Sequence, residues 1–117
     1  MAADKHPSKL MVLFYVTDTG NEPVREWLRS LPMAHKKIIG EDLKTIQYGW
    51  PLGMPLVRKM EPGIWEMRTK LPTGIVRMFF TINDKSLVLL HGFIKKSQKT
   101  PTKELDTARN RKKDLER

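Results

Sequence analysis

The sequence contains no cysteine among its 117 residues. This absence excludes a disulfide framework and thiolate metal sites, and it is typical of proteins in a reducing cytoplasm. The longest apolar run, Leu10–Val16, is far shorter than the about 20 residues that a membrane-spanning helix needs. Residues 1–8 lack the apolar core of a secretory signal, and we expect them to be disordered. The sequence therefore predicts a cytoplasmic protein with no membrane partner.

Several familiar catalytic patterns are also missing. His6, His35 and His91 show no metal-ligand spacing, and the chain has no carboxylate pair, Gly-rich phosphate loop or nucleophile elbow. His91 lies in an apolar strand and is interpreted as a core histidine, and the 3 tryptophans are interpreted as core rather than base-stacking residues. We therefore expect neither a metal nor a cofactor.

Positive charge exceeds negative charge, and the excess is unevenly distributed. The chain has 22 Lys and Arg against 13 Asp and Glu, a net charge of +9. Residues 1–55 hold 7 basic and 6 acidic side chains, whereas residues 56–117 hold 15 and 7. Localised positive charge is typical of a nucleic-acid partner, although a basic tail that aids solubility gives the same balance. The length suits one domain, residues 1–117.

The apolar periodicity predicts an α+β fold. We expect a buried first strand, a helix hairpin that covers a mainly antiparallel sheet of four to five strands, and a polar, basic C-terminal helix. The predicted elements are Lys9–Thr17, a helix capped by Asn21 and ending at Pro32, Ala34–Tyr48, Leu56–Met60, Ile64–Leu71, Ile75–Ile82, Leu87–Ile94 and a helix capped by Thr100. Gly49 suits a left-handed cap after the second helix. The last helix has few apolar residues, so we expect it to dock loosely.

Strand alternation divides the side chains of the two central strands between two faces. One face is apolar and is predicted to lie under the helix hairpin. The other face carries Glu66, Arg68, Lys70 and Arg77, and we call it the basic floor. Cations on strands lose hydration unless an anion meets them, and one carboxylate cannot satisfy two guanidinium groups. Arg68 and Arg77 therefore either pair with Glu66 or bind an anionic ligand such as a phosphate chain.

Lys95 and Lys96 are consecutive, so they should point to opposite sides of their strand. Adjacent lysines at a strand end often serve only to prevent edge aggregation. If one of them faces the floor beside Arg68, the neighbouring cations lower its pKa and make it a usable base. We choose Lys96, because it shares a side with Gly92, where a missing side chain would let a nucleotide backbone approach.

Four segments carry a family resemblance: LVRKMEPGIWEMR, GIVRMFF, LLHGFIKKSQKTP and ELDTARNR. Together with the order of elements, they resemble the phage-derived RelE-like branch, often labelled HigB, of the RelE/ParE toxin superfamily. The resemblance implies a RelE-like toxin of a type II toxin–antitoxin system that acts as a ribosome-dependent, metal-independent mRNA endoribonuclease. The related ParE branch poisons DNA gyrase, so a gyrase inhibitor or a non-catalytic RNA-binding module on the same fold stays open.

The resemblance also implies roles for individual residues. Arg68 would hold the scissile phosphate, Arg77 would support it, and Lys95 and Lys96 would act as base or stabilise the transition state. The residues expected to bind flanking RNA are Arg58, Lys59, Lys70 and Lys99. The implied partners are mRNA in the ribosomal A site, near 16S rRNA, and a cognate antitoxin, expected to be of the helix-turn-helix type. The toxin–antitoxin complex is in turn expected to bind operator DNA.

Overall fold

The computed structural model describes residues 9–95 and 102–117; the disorder expected for residues 1–8 and the predicted cap at Thr100 lie outside these ranges. The described elements are, in chain order, β1 (Met11–Phe14), α1 (Pro23–Arg29), α2 (Met33–Gly49), β2 (Val57–Glu61), β3 (Ile64–Leu71), β4 (Gly74–Asn83), β5 (Ser86–Lys95) and α3 (Thr102–Leu115). The predicted α+β class is confirmed. No helix within the described ranges combines the length and apolarity needed to cross a membrane.

The described strands form a sheet in the order β1-β5-β4-β3-β2. Strands β2 to β5 pair antiparallel with their sequence neighbours, as predicted, and β1 pairs in parallel with β5. Asn83 pairs with Ser86, so Asp84 and Lys85 form the turn between β4 and β5. Asp84 adopts a φ of 57°, the left-handed conformation that tight hairpin turns require and that Asp tolerates.

One face of the sheet is a dry apolar layer beneath α2. Its fully buried side chains come from α2, β3 and β4, and they include Ile39, Ile46, Met67, Val76, Met78 and Phe80. Trp50 packs edge-on against Trp65 and Phe80, with ring centroids 5.1 and 5.6 Å apart. The prediction that the helix hairpin covers this face, and the assignment of Trp50 and Trp65 to the core, are confirmed.

The opposite face is covered in part by α3. Ala108 of α3 is fully buried against a second apolar cluster that includes Phe79, Leu90 and Phe93. Polar side chains also anchor the helix, because the Tyr15 hydroxyl donates to Asp114 at 2.6 Å and Arg109 donates to Glu61 at 2.7 Å. The expectation of loose docking was wrong: charged residues that leave α3 with a weak apolar pattern make specific contacts with the sheet.

The first strand differs from its prediction in both length and burial. β1 has 4 residues, and its Met11 and Leu13 are 60% and 41% exposed. β1 lies at the edge of the sheet and pairs with one neighbour, β5, and the face that carries Met11 and Leu13 is only partly covered. Apolar composition alone could not distinguish this edge strand from a central one.

Two predicted helix caps are also wrong. The residue that precedes α1 is Glu22, without a side-chain cap, whereas the Asn21 amide donates to the Thr19 hydroxyl at 3.2 Å. Gly49 is the last helical residue of α2 rather than a left-handed cap, and Trp50 leaves the helix with φ −59° and ψ 138°.

Candidate functional site

The two arginines of the basic floor face each other across neighbouring strands. Arg68 on β3 and Arg77 on β4 are direct register partners, and Glu66 lies two residues before Arg68 on the same face. Arg77 is 2% exposed and donates to the Glu66 carboxylate at 3.0 Å. Arg68 is 26% exposed at its side chain, and its Nε lies 4.0 Å from the same Glu66 oxygen. Glu66 therefore neutralises Arg77 more directly than Arg68.

The Glu66–Arg77 pair is buried with part of its hydrogen-bonding capacity unused. Glu66 is fully buried, and within the described chain its Oε2, together with the Nε atoms of Arg68 and Arg77, has no hydrogen-bond partner. An unsatisfied buried polar group costs about 1–3 kcal/mol, and a buried ion pair is often less stable than an apolar replacement. Such a costly cluster is better explained by ligand binding or catalysis than by stability.

Lys95 completes what we call the ion cluster, namely Glu66, Arg68, Arg77 and Lys95. It ends β5, pairs with Ile75 in register, and is 5% exposed. Burial, followed by repulsion from the Arg77 guanidinium, lowers the pKa of Lys95, and the Glu66 carboxylate opposes this effect. Burial next to other cations thus favours the neutral amine, which is the form that can accept a proton.

The choice of Lys96 as the residue facing the floor rested on Gly92, and that argument was wrong. Gly92 lies on the face beneath α1, where a methyl group placed on it would come within 2.8 Å of Trp27. Its missing side chain makes room for Trp27 rather than for a nucleotide. Lys95, on the opposite side from Gly92, is the residue that joins the ion cluster. Lys96 and Lys99 lie outside the described residues.

The other predicted RNA-binding residues divide between the two faces. Arg58 is exposed and pairs in register with Glu66, so it extends the basic floor towards β2. Lys70 is exposed and lies two residues beyond Arg68 on the same face of β3. Lys59 is exposed but pairs with Trp65, whose side chain belongs to the hairpin face. The structure thus brings Arg58 and Lys70, but not Lys59, to the side of Arg68.

His91 was predicted to be a core histidine, but its side chain is 19% exposed and makes contacts at the edge of the core. Its Nε2–H donates to Glu104 of α3 at 2.6 Å, and its ring lies beside Phe93 with centroids 5.7 Å apart. These contacts link β5 to α3. Among the described residues, no three His, Asp or Glu side chains lie close enough to form a metal site.

A cavity of about 550 Å³ adjoins the ion cluster. Its lining comes from both faces of β3: Arg68 and Lys70 belong to the basic floor, whereas Asp42 of α2 lies on the face of Thr69. Sequence reasoning missed Asp42, although a signal was present: it lies four residues after Ile38 and four before Ile46, within the apolar stripe of α2. A carboxylate in such a stripe needs a polar partner, and the Thr69 hydroxyl donates to it at 2.7 Å.

The described residues form a small α+β domain that carries the ion cluster on one face of its sheet. The chain belongs to the family described as phage-derived protein Gp49-like (DUF891), whose model matches residues 26–113. The matched segment begins in α1 and ends in α3, so it contains all of the ion cluster. No curated protein matches the chain.

Proposed function

We propose that this protein is the toxin of a type II toxin–antitoxin system and that it cuts mRNA on the ribosome. The observation that carries the proposal is the position of Arg68, partly exposed above a buried Glu66–Arg77 pair. Because Glu66 already accepts a close hydrogen bond from Arg77, much of the positive charge of Arg68 is available to an incoming anion. Membership of a toxin-like family supports the biological role.

The proposed reaction is an internal transfer at the RNA phosphate. The 2′-oxygen attacks the adjacent phosphorus and forms a new P–O bond while the P–O5′ bond breaks. The products are a 2′,3′-cyclic phosphate and a free 5′-hydroxyl. Arg68 binds the non-bridging oxygens, where negative charge accumulates in the transition state. The ribosomal A site supplies much of the in-line alignment, which is an entropic contribution to the rate.

The proposal gives supporting roles to the rest of the ion cluster. Lys95 in its neutral form accepts the proton of the 2′-hydroxyl, and its lowered pKa increases the fraction of that form. The departing 5′-oxygen takes up a proton from water. Arg77 neutralises much of the charge of the Glu66 carboxylate through their 3.0 Å contact, and Arg68 has the weaker contact of 4.0 Å with the same oxygen. Lys96, outside the described residues, stays a candidate for the same proton transfer.

Flanking contacts follow from the positions of the other cations. Arg58 and Lys70 lie on either side of Arg68 on the basic floor, where they would bind the phosphates that precede and follow the cut. Lys59, exposed on the other face, would instead contact ribosomal RNA. Lys99, like Lys96 outside the described residues, is proposed as a further RNA contact.

A cognate antitoxin is the second proposed partner. A net charge of +9 that is concentrated in residues 56–117 favours an antitoxin segment that is acidic and covers the basic floor. A helix-turn-helix module on that antitoxin would let the complex bind operator DNA. The ribosome as target places the protein in the cytoplasm.

Mapping mRNA 5′ ends after induction in cells tests the proposal. Wild type should produce cuts within translated frames, and Arg68→Ala should abolish them. Arg29→Ala is the matched control, because it removes the same charge from an exposed position at the end of α1. DNA damage without mRNA cuts would contradict the nuclease proposal and favour gyrase as the target.

A further inference from the structure

The cavity beside Arg68 combines three kinds of surface. Arg68 and Lys70 contribute positive charge along one wall. Ile38, Leu56 and Ile75 contribute apolar surface, and Asp42 contributes a single carboxylate. The volume of about 550 Å³ falls within the range of small-molecule sites, which is about 300–1,000 Å³. A phosphate alone would leave the apolar walls unused and would be repelled by Asp42, so the cavity fits a larger, partly apolar ligand.

The Asp42 carboxylate is held in place by the sheet. Its Oδ2 accepts a hydrogen bond of 2.7 Å from the hydroxyl of Thr69, which is fully buried on β3. An ionised carboxylate only accepts hydrogen bonds, and it has about four lone-pair positions on its two oxygens. A single hydroxyl donor therefore leaves capacity for a donor on the ligand. Because a carboxylate cannot donate, it disfavours a ligand that presents only acceptors to it.

We propose that this cavity binds a nucleobase next to the phosphate held by Arg68, and that Asp42 selects bases carrying an exocyclic amino group over uracil. The proposal rests on the proposed function, because the RNA phosphate at Arg68 is what brings a base to the cavity. The N4 amino group of cytosine and the N6 amino group of adenine are donors suited to the carboxylate. Uracil presents the carbonyl O4 in the corresponding place, which a carboxylate repels.

The size of the preference follows from the kind of hydrogen bond. Hydrogen bonds to a charged acceptor and base-edge contacts each discriminate by roughly tenfold or more. We therefore expect wild type to favour cytosine or adenine over uracil at one position beside the cut by about tenfold. Asp42→Asn should remove most of that preference, because an amide can both donate to a carbonyl and accept from an amine. The same amide can still accept from Thr69, so the variant keeps that structural contact.

Two measurements test the inference. The first compares the bases beside mapped mRNA cuts for wild type, Asp42→Asn and Glu41→Gln. Glu41 is exposed on α2 next to Asp42, so its carboxylate-to-amide change is a matched control outside the cavity. The second titrates the isolated protein with 3′-CMP and 3′-UMP and follows the NMR signals of Asp42 and Thr69. Wild type should bind 3′-CMP more tightly, and Asp42→Asn should bind the two nucleotides about equally.

The outcomes separate this inference from the proposed function. If wild type cuts mRNA but Asp42→Asn leaves the base preference unchanged, and 3′-CMP and 3′-UMP bind equally or not at all, the inference is overturned while the nuclease stands. If wild type makes no cuts yet prefers 3′-CMP in a manner that depends on Asp42, the cavity assignment stands while the proposed reaction fails. Absence of both cutting and selective binding overturns both. If Asp42→Asn does not fold, the wild-type titration alone tests whether the cavity prefers 3′-CMP to 3′-UMP.

Discussion

Both faces of strands β3 and β4 contain fully buried side chains, but those side chains differ in chemistry. Beneath α2 lie Met67, Val76, Met78 and Phe80, with no measurable exposure and no ionised group among them. On the opposite face, Glu66 and Arg77 are buried to nearly the same degree. The period-two alternation of a strand places these sets within the same two segments. The comparison teaches that the apolar face has the composition of a stabilising core, whereas the opposite face buries charged groups whose Glu66 Oε2 and Arg77 Nε lack hydrogen-bond partners, which a core chosen for stability would avoid.

Removal of the Glu66 carboxylate should have the largest effect on stability, and it tests the difference between the two faces. Glu66→Ala leaves the Arg77 guanidinium buried without its partner, which should lower the free energy of unfolding by about 4 kcal/mol. Urea denaturation measures the loss. The double variant Glu66→Leu/Arg77→Met replaces only the buried pair by apolar side chains and leaves Arg68 and Lys95 in place, and it should recover most of the lost stability. A double variant as unstable as Glu66→Ala would show that the pair stabilises the fold.

On the apolar face, Met78→Ala should cost about 3 kcal/mol through lost burial and the cavity that remains. Met78 is fully buried, and it lies on the face opposite to Arg77. RNA cleavage by the protein that remains folded should be unchanged, in contrast to variants of Arg68. Cleavage rates corrected for the folded fraction, from urea curves taken under assay conditions, measure this. A large specific loss of activity would show that the two faces are not functionally separate.

Loosening the contact between α3 and the sheet should have a smaller effect on stability. The Tyr15 hydroxyl donates to Asp114, and this hydrogen bond is the largest cause of the raised pKa of Tyr15. Tyr15→Phe should lower the free energy of unfolding by about 1.5 kcal/mol, since it removes a hydrogen bond to a charged acceptor. Faster amide exchange in α3 should accompany the change. Unaltered exchange in α3 would mean that Tyr15 does not anchor the helix.

The smallest expected effect is a pH-dependent change in stability that arises from Lys95. Its pKa is lowered in the folded protein by burial and by Arg77, so the unfolded chain binds the proton more tightly. This penalty is fully present below the folded pKa and disappears as the pH rises towards 10.5, the ordinary value. The stability of wild type relative to Lys95→Met should therefore increase with pH through that window. A constant difference would contradict the lowered pKa.

Much of the fold follows from the sequence because strand alternation and turn residues are local signals. They correctly divided β3 and β4 into an apolar face and a face with Glu66, Arg68 and Arg77. The side of β5 could not be predicted in this way, because the register between β4 and β5 shifts between Phe79 and Phe80. Such a shift depends on tertiary packing rather than on local sequence. The position of Gly92 against Trp27 likewise depends on how α1 docks.

The sequence predicted which side chains of one strand share a face of the sheet, but it did not predict the contacts between side chains of different strands and helices. The pairing of Glu66 with Arg77 rather than Arg68 depends on side-chain geometry between strands. Asp42 reaches the cavity because α2 crosses the sheet near Thr69, a contact between residues 27 positions apart. No local pattern encodes that crossing. The one signal in the sequence was Asp42 itself, because a carboxylate within the apolar stripe of α2 indicates that this helix also contributes a polar side chain to a site.

The central claim is that Arg68 stabilises the charge developing on the scissile phosphate. The most direct test is the single-turnover rate of mRNA cleavage on saturating ribosomes, measured for wild type, Arg68→Ala and Arg29→Ala. Loss of one contact to the transition state costs about 3 kcal/mol, so Arg68→Ala should be slower by about a hundredfold with an unchanged fold. Arg29→Ala should cleave at the wild-type rate. A folded Arg68→Ala protein that cleaves as fast as wild type would contradict the account.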